Sequence, residues 1–386
     1  MTIRSGLRAR EARIVDFDFS DDQKALQSHA RGFLDKSSPR ETVRAVLDGE
    51  LGYHASLWRA VADMGFPATA IPEHYGGLGL GYLELCVIAE ELGRSLAPVP
   101  LSSSIYLAAE LLLAAGSESQ KQAWLPKLAS GEAVGTFALA ETVGPLAPEQ
   151  IHATATKGRI DGVKLPVPDG MIADIAIVAV RAGGLGPVSL QLVEVGQPDA
   201  RREPVATIDP TRGHARLTFT NAAAEPLGPG GDAWPVIETV LDRAAVLFAF
   251  EQIGGADRAL EMARDYALER RAFGRQIGSF QAIKHMLADM YVSTVLARSN
   301  AYYAAWALST NAPQLPQAAA AARVSATQAF QHCAKNNIQV HGGMGFTWEF
   351  DCHLYYRRSN LLALNLGSLS RWEDRLIEHL KSPLAA

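Results

Sequence analysis

Two stretches in the C-terminal part of the chain decide how the rest of the sequence is interpreted. The first reads IQVHGGMGFTWE at residues 338–349 and continues to Tyr355-Tyr356-Arg357-Arg358. The second reads YALERRAFG at residues 266–274 and is followed by FQAIKH at 280–285. Paired glycines let another group approach the backbone closely, and arginine presents a planar fork that fits phosphate. By themselves these residues also allow structural interpretations, with Arg270 as a solvated helix end and Gly342-Gly343 as a turn.

Outside these stretches, the region after Pro235 has helical spacing. Apolar and small residues step by three and four along one predicted helix. They are Phe280, Ile283, Leu287, Met290 and Thr294. Further helices are predicted over 317–336 and over 369–380. Arg270 lies at a predicted helix end, just before Phe273-Gly274, where the chain is expected to turn.

The middle of the chain has a different period. Residues 188–192 and 216–220 alternate with period two, residues 175–180 form a short β-branched run, and Gly and Pro interrupt these segments often. This pattern is typical of a compact β domain. The first third is helical in pattern, with capping boxes at 20–23 and 117–120. A helix over 83–92 is predicted to end at Gly93.

The predicted layout is an α+β multidomain chain of helices, then a β domain, then helices. We predict a flexible tail over 1–16, an N-terminal helical domain over 17–130, a middle β domain over 131–231 and a C-terminal helical bundle over 232–386.

Composition and charge argue against several function classes. The chain has 386 residues, 48% of them apolar, and a net charge of −5, with no basic stripe for nucleic acid. No apolar run approaches the roughly 20 residues needed to span a bilayer. The N-terminus lacks the apolar core of a secretory signal. Cys86, Cys333 and Cys352 match no metal spacing, so we expect reduced, buried thiols, no metal site and a cytoplasmic protein.

Together, the two stretches resemble the C-terminal signatures of acyl-CoA dehydrogenases, and the helix–β–helix order matches that family across nearly the whole chain. The resemblance implies the acyl-CoA dehydrogenase fold: an N-terminal helical domain, a middle β-barrel-like domain and a C-terminal four-helix bundle. It also implies FAD as cofactor, an acyl-CoA substrate, and electron-transfer flavoprotein or a similar electron acceptor.

In that family the matching residues bind the ADP half of an FAD that lies mainly in the neighbouring subunit. The resemblance therefore implies a cofactor-binding set, called here the clamp residues. They are Arg270, Phe273, Gln281, Gln339, Gly342 and Gly343.

The catalytic base of the family is missing. Members abstract the α-proton with a glutamate at one of two places, and this chain has Leu366 at one and Ala244 at the other. Neither side chain can accept a proton, whereas general-base catalysis needs a titratable group. We therefore expect no catalytic residue in this chain.

The part of the sequence that should face the flavin ring also departs from the family. Ala140 replaces the threonine that touches the ring, and Pro166 and Pro168 replace the tryptophan and threonine beside it. The clamp residues match the family's pattern, whereas the residues expected beside the flavin ring do not. We call the latter region, around Ala140, Pro166 and Pro168, the ring side. This asymmetry resembles the second subunits of α2β2 bacterial acyl-CoA dehydrogenases of the steroid side-chain or pimeloyl-CoA type, and it implies a homologous catalytic partner.

Alternatives stay open from the sequence. Glu141, Glu251 and Glu349 are the carboxylates to be tested as replacements for the missing base. A homomeric flavoenzyme of the same fold, such as a flavin monooxygenase, needs no α-proton base. A non-enzymatic member of the superfamily is the third reading, although the acidic net charge weighs against a DNA-binding role.

Overall fold

The computed structural model describes residues 19–49, 52–184 and 186–381. The predicted tail over 1–16 lies outside these ranges. The N-terminal part is helical, and its α-helices are α1 Asp21–Ser37, α2 Arg40–Leu47, α3 Ala55–Asp63, α4 Tyr82–Ser95, α5 Glu110–Ala115 and α6 Glu118–Ala129. A π-helical segment, Ser102–Ala109, leads directly into α5. Both predicted capping boxes are confirmed, because Ser20 and Ser117 each exchange two hydrogen bonds with the glutamine three residues later.

The predicted stop of α4 at Gly93 is wrong. The helix continues to Ser95 and ends at Leu96, whose φ of 55° is left-handed. Gly93 instead allows α4 to cross the later helix α7 closely, since a Cβ at Gly93 would lie 1.8 Å from the carbonyl oxygen of Glu251. Gly254 of α7 has the reciprocal role, with its added Cβ 1.9 Å from the carbonyl oxygen of Glu90.

The middle part forms an eight-stranded sheet in the order β6-β7-β3-β2-β4-β5-β8, with β1 paired in parallel to β4. Its strands are β1 Gly135–Ala138, β2 Thr154–Thr156, β3 Arg159–Pro168, β4 Ile175–Ala182, β5 Val188–Glu194, β6 Ala200–Val205, β7 His214–Ala223 and β8 Glu225–Pro226. The three predicted strands are confirmed as parts of β4, β5 and β7. Strand β4 has six successive buried residues because β1, β2 and β5 flank it.

The C-terminal part returns to helices: α7 Trp234–Glu269, α8 Gln281–Ser309, α9 Leu315–His341, α10 Cys352–Leu364 and α11 Leu369–Lys381. A short hairpin, β9 Arg271–Ala272 and β10 Arg275–Gln276, separates α7 from α8. Met290 and Thr294 of the predicted stripe are buried, and Phe280 lies at the N-cap of α8. The helix–β–helix fold prediction is confirmed, whereas the exact domain limits stay a prediction.

Buried ion pairs join the sheet to the C-terminal helices. Arg358 of α10 binds Asp209 at 2.5 Å, in the loop between β6 and β7. Arg212 of the same loop pairs with Glu251 of α7. Burial alone would raise the pKa of Asp209, but Arg358 and Thr211 outweigh it, and the pKa is lowered. These pairs hold the sheet in one place against α7 and α10.

Candidate functional site

The hairpin after α7 carries two of the clamp residues. Arg270 is the C-cap of α7, with extended backbone, and its carbonyl accepts from the N–H of Ile277 at 2.8 Å. Phe273 and Gly274 form the two-residue turn, with φ of 52° and 79°. Such a turn favours Asn-Gly, and a bulky residue in the left-handed region costs about 1–3 kcal/mol. Phe273 bears that strain while 95% exposed.

The end of α9 lies beside the end of α7. Tyr266 of α7 stacks on His341 of α9 with ring centroids 4.1 Å apart, and Phe350 contacts both rings edge-on. This aromatic cluster brings Gln339, Gly342 and Gly343 next to the turn of α7 that precedes Arg270. The structure thus unites two segments that are about 70 residues apart in the sequence.

The start of α8 completes this surface. Gln281 is the first residue of α8, and no side chain caps that helix end. Phe280 lies between two residues of the hairpin, with the Phe273 ring at 6.2 Å and the Arg275 guanidinium over its face at 4.1 Å. The free N–H groups at the start of a long helix favour an anion.

The clamp residues face outwards. Five of the six are exposed and Gly342 is half-buried. Nothing in the described chain lies within 4 Å of a Cβ built on Gly342 or Gly343. By contrast, a Cβ on Gly345 would lie 2.5 Å from the carbonyl oxygen of Ile338. Gly345 is therefore needed by the fold, whereas internal packing gives no reason for the missing side chain of Gly343.

These residues fit the ADP half of a dinucleotide cofactor. An exposed guanidinium and a helix N-terminus suit a diphosphate, and glycines without neighbours leave room for close approach. Gln339 and Gln281 are exposed amides that can donate and accept hydrogen bonds. The set is a half-site, because it forms an open surface rather than an enclosed pocket.

The ring side of the molecule is built differently. Lys164 is fully buried, and its ammonium donates to Glu141 at 2.7 Å and to the carbonyl of Leu139 at 3.1 Å. Burial lowers the pKa of Lys164 to about 8, although Glu141 opposes the shift. The N–H of Leu165 donates to the carbonyl of Ala140 at 2.8 Å. The polar groups here are satisfied by one another.

Two small cavities lie on this side of the described chain. A cavity of about 10 Å³ is lined by ten residues, among them Ala140, Glu141, Leu146 and Trp234. A second cavity of about 70 Å³, lined in part by Asp169 and His214, lies against the loop after β3. Pockets for cofactor-sized ligands measure roughly 300 Å³ or more. Neither of these two cavities has room for an isoalloxazine ring, and neither is lined by Pro166 or Pro168.

The two base positions are apolar and fixed. Leu366 has φ of 62°, and its carbonyl accepts from the indole N–H of Trp372 at 3.2 Å. Arg323, fully buried, donates to the carbonyls of Leu362 and Asn365 at the end of α10. Burial lowers the pKa of Arg323 to about 9. Ala244 is completely buried in α7.

The other candidate carboxylates are engaged or misplaced. Glu141 accepts from Lys164 and from the N–H groups of His152 and Ala153. Glu251 is buried and paired with Arg212, with Arg358 at 3.9 Å. Glu349 is exposed on the turn after α9. Glu141 and Glu251 thus bind cations of their own chain, and Glu349 lies on the exposed surface.

Sequence reasoning missed the β9–β10 hairpin and the buried Arg323. The hairpin turn contains Phe-Gly rather than Asn-Gly, so the usual signal was absent. An arginine in an alanine-rich helix is normally read as solvent-exposed, and only the carbonyls of α10, distant in sequence, explain its burial. In the described residues, no group of three or more His, Cys, Asp or Glu is placed to hold a metal ion. No described helix is both long and apolar enough to cross a membrane.

Comparison with known proteins follows the same division of the chain. Residues 20–132 match the model of the acyl-CoA dehydrogenase N-terminal domain, and residues 231–370 match that of the C-terminal domain. The chain is 37% identical over 349 residues to acyl-CoA dehydrogenase IpdE2 of Mycobacterium tuberculosis, covering 90% of this chain and 94% of that protein.

Two solved structures share most of the fold. One is described as the Tcur3481-Tcur3483 steroid ACAD G363A variant, with a TM-score of 0.84, 31% identity, and coverage of 93% of this chain and 97% of that one. The other is the ChsE4-ChsE5 complex from Mycobacterium tuberculosis, with a TM-score of 0.86, 28% identity, and coverage of 96% and 100%.

Proposed function

The chain belongs to the acyl-CoA dehydrogenase family, and on that premise we propose that it is the non-catalytic subunit of a heteromeric, FAD-dependent acyl-CoA dehydrogenase. Its clamp residues bind the ADP half of an FAD whose ring lies in a homologous catalytic subunit. The assembly is α2β2 and carries out α,β-dehydrogenation of an acyl-CoA thioester. Electron-transfer flavoprotein or a similar carrier takes up the electrons.

One observation carries this proposal: the clamp residues face outwards, while the same chain has Leu366 and Ala244 at the two positions of the family's base. Phe273 is the clearest case, because it has a strained backbone and is almost fully exposed, and its one ring contact in the described chain is the edge of Phe280. An observed backbone outlier is a reason to look for function. A cofactor or partner that covers Phe273 offsets both the strain and the exposure.

The roles of this chain follow from its side chains. Arg270 binds one phosphate of the cofactor, Gln281 and Gln339 donate or accept hydrogen bonds, and Gly343 lets the cofactor approach the backbone. When bound, FAD supplies the acceptor for the hydride that leaves the substrate. The proton acceptor comes from the partner subunit, because Leu366 and Ala244 cannot take a proton.

Similar structures support a two-chain assembly. Both solved structures compared above are described by pairs of names, Tcur3481-Tcur3483 and ChsE4-ChsE5, and the former is called a steroid ACAD. We infer a bulky, steroid-derived acyl-CoA as the substrate class. The acidic net charge offers no support for a DNA-binding role.

The test is to produce this chain alone and together with a homologous acyl-CoA dehydrogenase chain that has the glutamate base. We expect acyl-CoA oxidation, followed with an artificial electron acceptor, only from the pair. Leu366→Glu in the lone chain should add no activity, since a base alone cannot act without the ring pocket. A lone chain that holds flavin and oxidises an acyl-CoA would overturn the proposal, and one that holds flavin but oxidises other substrates would favour a homomeric flavoenzyme.

A further inference from the structure

The hairpin presents a second guanidinium beside Arg270. In an antiparallel pair, residues directly opposite each other share a face, and successive residues alternate between faces. Ala272 lies opposite Arg275, and Arg271 lies opposite Gln276. Arg270 is extended and pairs with Ile277 one step further along. Arg270 and Arg275 therefore share one face of the hairpin, and Arg271 lies on the other.

Arg275 is held in place without using its hydrogen-bond donors. Its guanidinium carbon lies 4.1 Å from the centre of the Phe280 ring, which also contacts the Phe273 ring. Stacking on an aromatic face leaves the in-plane N–H groups of arginine free. Within the described ranges, no hydrogen bond or ion pair engages the Arg275 side chain. Its donors are available to a ligand on the clamp surface.

We propose that Arg275 is a second cation for the cofactor diphosphate, so that Arg270 and Arg275 each meet one of its two phosphates at the start of α8. This assignment rests on the proposed function. A diphosphate carries charge on two adjacent phosphorus centres, and one guanidinium fork spans one of them. Phe280 acts as a positioning residue, because its ring fixes where the Arg275 guanidinium lies.

Arg271 provides a matched control. It belongs to the same hairpin, is equally exposed and carries the same charge, but it lies on the opposite face. A general loss of positive charge affects both positions alike, whereas a direct phosphate contact affects only Arg275. Arg271→Gln and Arg275→Gln therefore separate the two causes.

The experiment measures the dissociation constant of FAD from the assembled pair of subunits, by flavin fluorescence, at several salt concentrations. We expect Arg275→Gln to weaken FAD binding about tenfold and to make it less dependent on salt, because a charge-assisted contact is screened by ions. Arg271→Gln should change the constant by less than about twofold. Phe280→Leu, which keeps the charge but removes the ring, should give a smaller loss than Arg275→Gln.

Two outcomes would overturn the assignment: equal effects of Arg271→Gln and Arg275→Gln, or no effect of Arg275→Gln. Arg270→Gln separates this failure from that of the proposed function. If Arg270→Gln weakens FAD binding and Arg275→Gln does not, only the second cation is wrong. If neither variant matters, the clamp itself is wrong.

Discussion

The hairpin and helix ends that carry the clamp residues differ from the junction around Ala140, Lys164 and Leu366 in how their polar groups are satisfied. At the clamp, the guanidiniums of Arg270 and Arg275 form no hydrogen bond within the described chain. At the junction, Lys164 is bound by Glu141 and the carbonyls that end α10 are bound by Arg323. The clamp guanidiniums are available to a group outside the chain, whereas Lys164 and the end of α10 are paired within it.

This contrast bears on the two halves of the cofactor site, the clamp and the ring side. A buried polar group is costly unless it is paired inside the protein, and Lys164 and Arg323 are paired in this way. The exposed clamp carries no such constraint. The contrast accords with the proposal that the clamp serves a neighbouring subunit.

The largest expected effect is at the clamp. Arg270→Gln in the assembled pair should weaken FAD binding about 10- to 100-fold, because a hydrogen bond to a charged group contributes about 1.5–3 kcal/mol. Flavin fluorescence titration measures it. The thermal midpoint of the lone chain should not change, since the Arg270 side chain has no partner there. Unchanged FAD affinity would remove Arg270 from the clamp.

The turn of the hairpin gives the next effect, with opposite consequences for the lone chain and the pair. Phe273→Asn creates the Asn-Gly sequence that this turn prefers. Relief of the left-handed strain, about 1 kcal/mol or more, should leave the thermal midpoint of the lone chain unchanged or raised. The pair should lose FAD affinity, measured by the same titration. A lower midpoint would mean that Phe273 serves its own chain.

Two neighbouring glycines sharpen the contrast further. Gly343→Ala should leave the urea midpoint of the lone chain unchanged, since its added Cβ meets nothing within 4 Å, and it should weaken FAD binding by the pair. Gly345→Ala should destabilise the lone chain by about 1–3 kcal/mol, because its added Cβ lies 2.5 Å from the carbonyl oxygen of Ile338. Equal stability of the two variants would contradict the distinction.

At neutral pH the smallest effect is at the junction, because the pH dependence of Lys164 develops only above about pH 8. The pKa of Lys164 is about 8 in the folded chain and about 10.5 when unfolded. Between these values unfolding takes up a proton, so stability rises with pH from about 8 to 10.5 and is lost as pH falls through 8. Lys164→Met should abolish this rise, seen as a difference between urea unfolding curves of wild type and variant. Parallel curves at every pH would contradict the buried charge.

The sequence predicted the local structure correctly where the deciding residues lie within one segment. The capping boxes at Ser20 and Ser117, and the buried stripe through Met290 and Thr294, depend on residues three or four apart. The stop at Gly93 failed because that glycine serves a crossing with α7, about 160 residues away. A glycine can end a helix or allow two helices to cross closely, and the sequence alone does not distinguish these roles.

The candidate site also has features that sequence motifs predict and features that depend on contacts between distant segments. The clamp residues could be proposed from motifs, but their exposure depends on the aromatic cluster of Tyr266, His341 and Phe350, which no single segment encodes. The loss of the base was visible at Leu366 and Ala244. The ion pair of Lys164 with Glu141 and the burial of Arg323 were not visible, because each joins segments distant in the sequence.

The ratio of flavin to protein chains in the purified two-subunit assembly tests the central claim most directly. Absorbance of the released flavin, set against a chain count from quantitative amino-acid analysis, gives this ratio. If this chain supplies only the clamp, the assembly holds one FAD for every two chains, and the lone chain holds none. One FAD per chain would mean that this chain has a ring site of its own, and it would contradict the account.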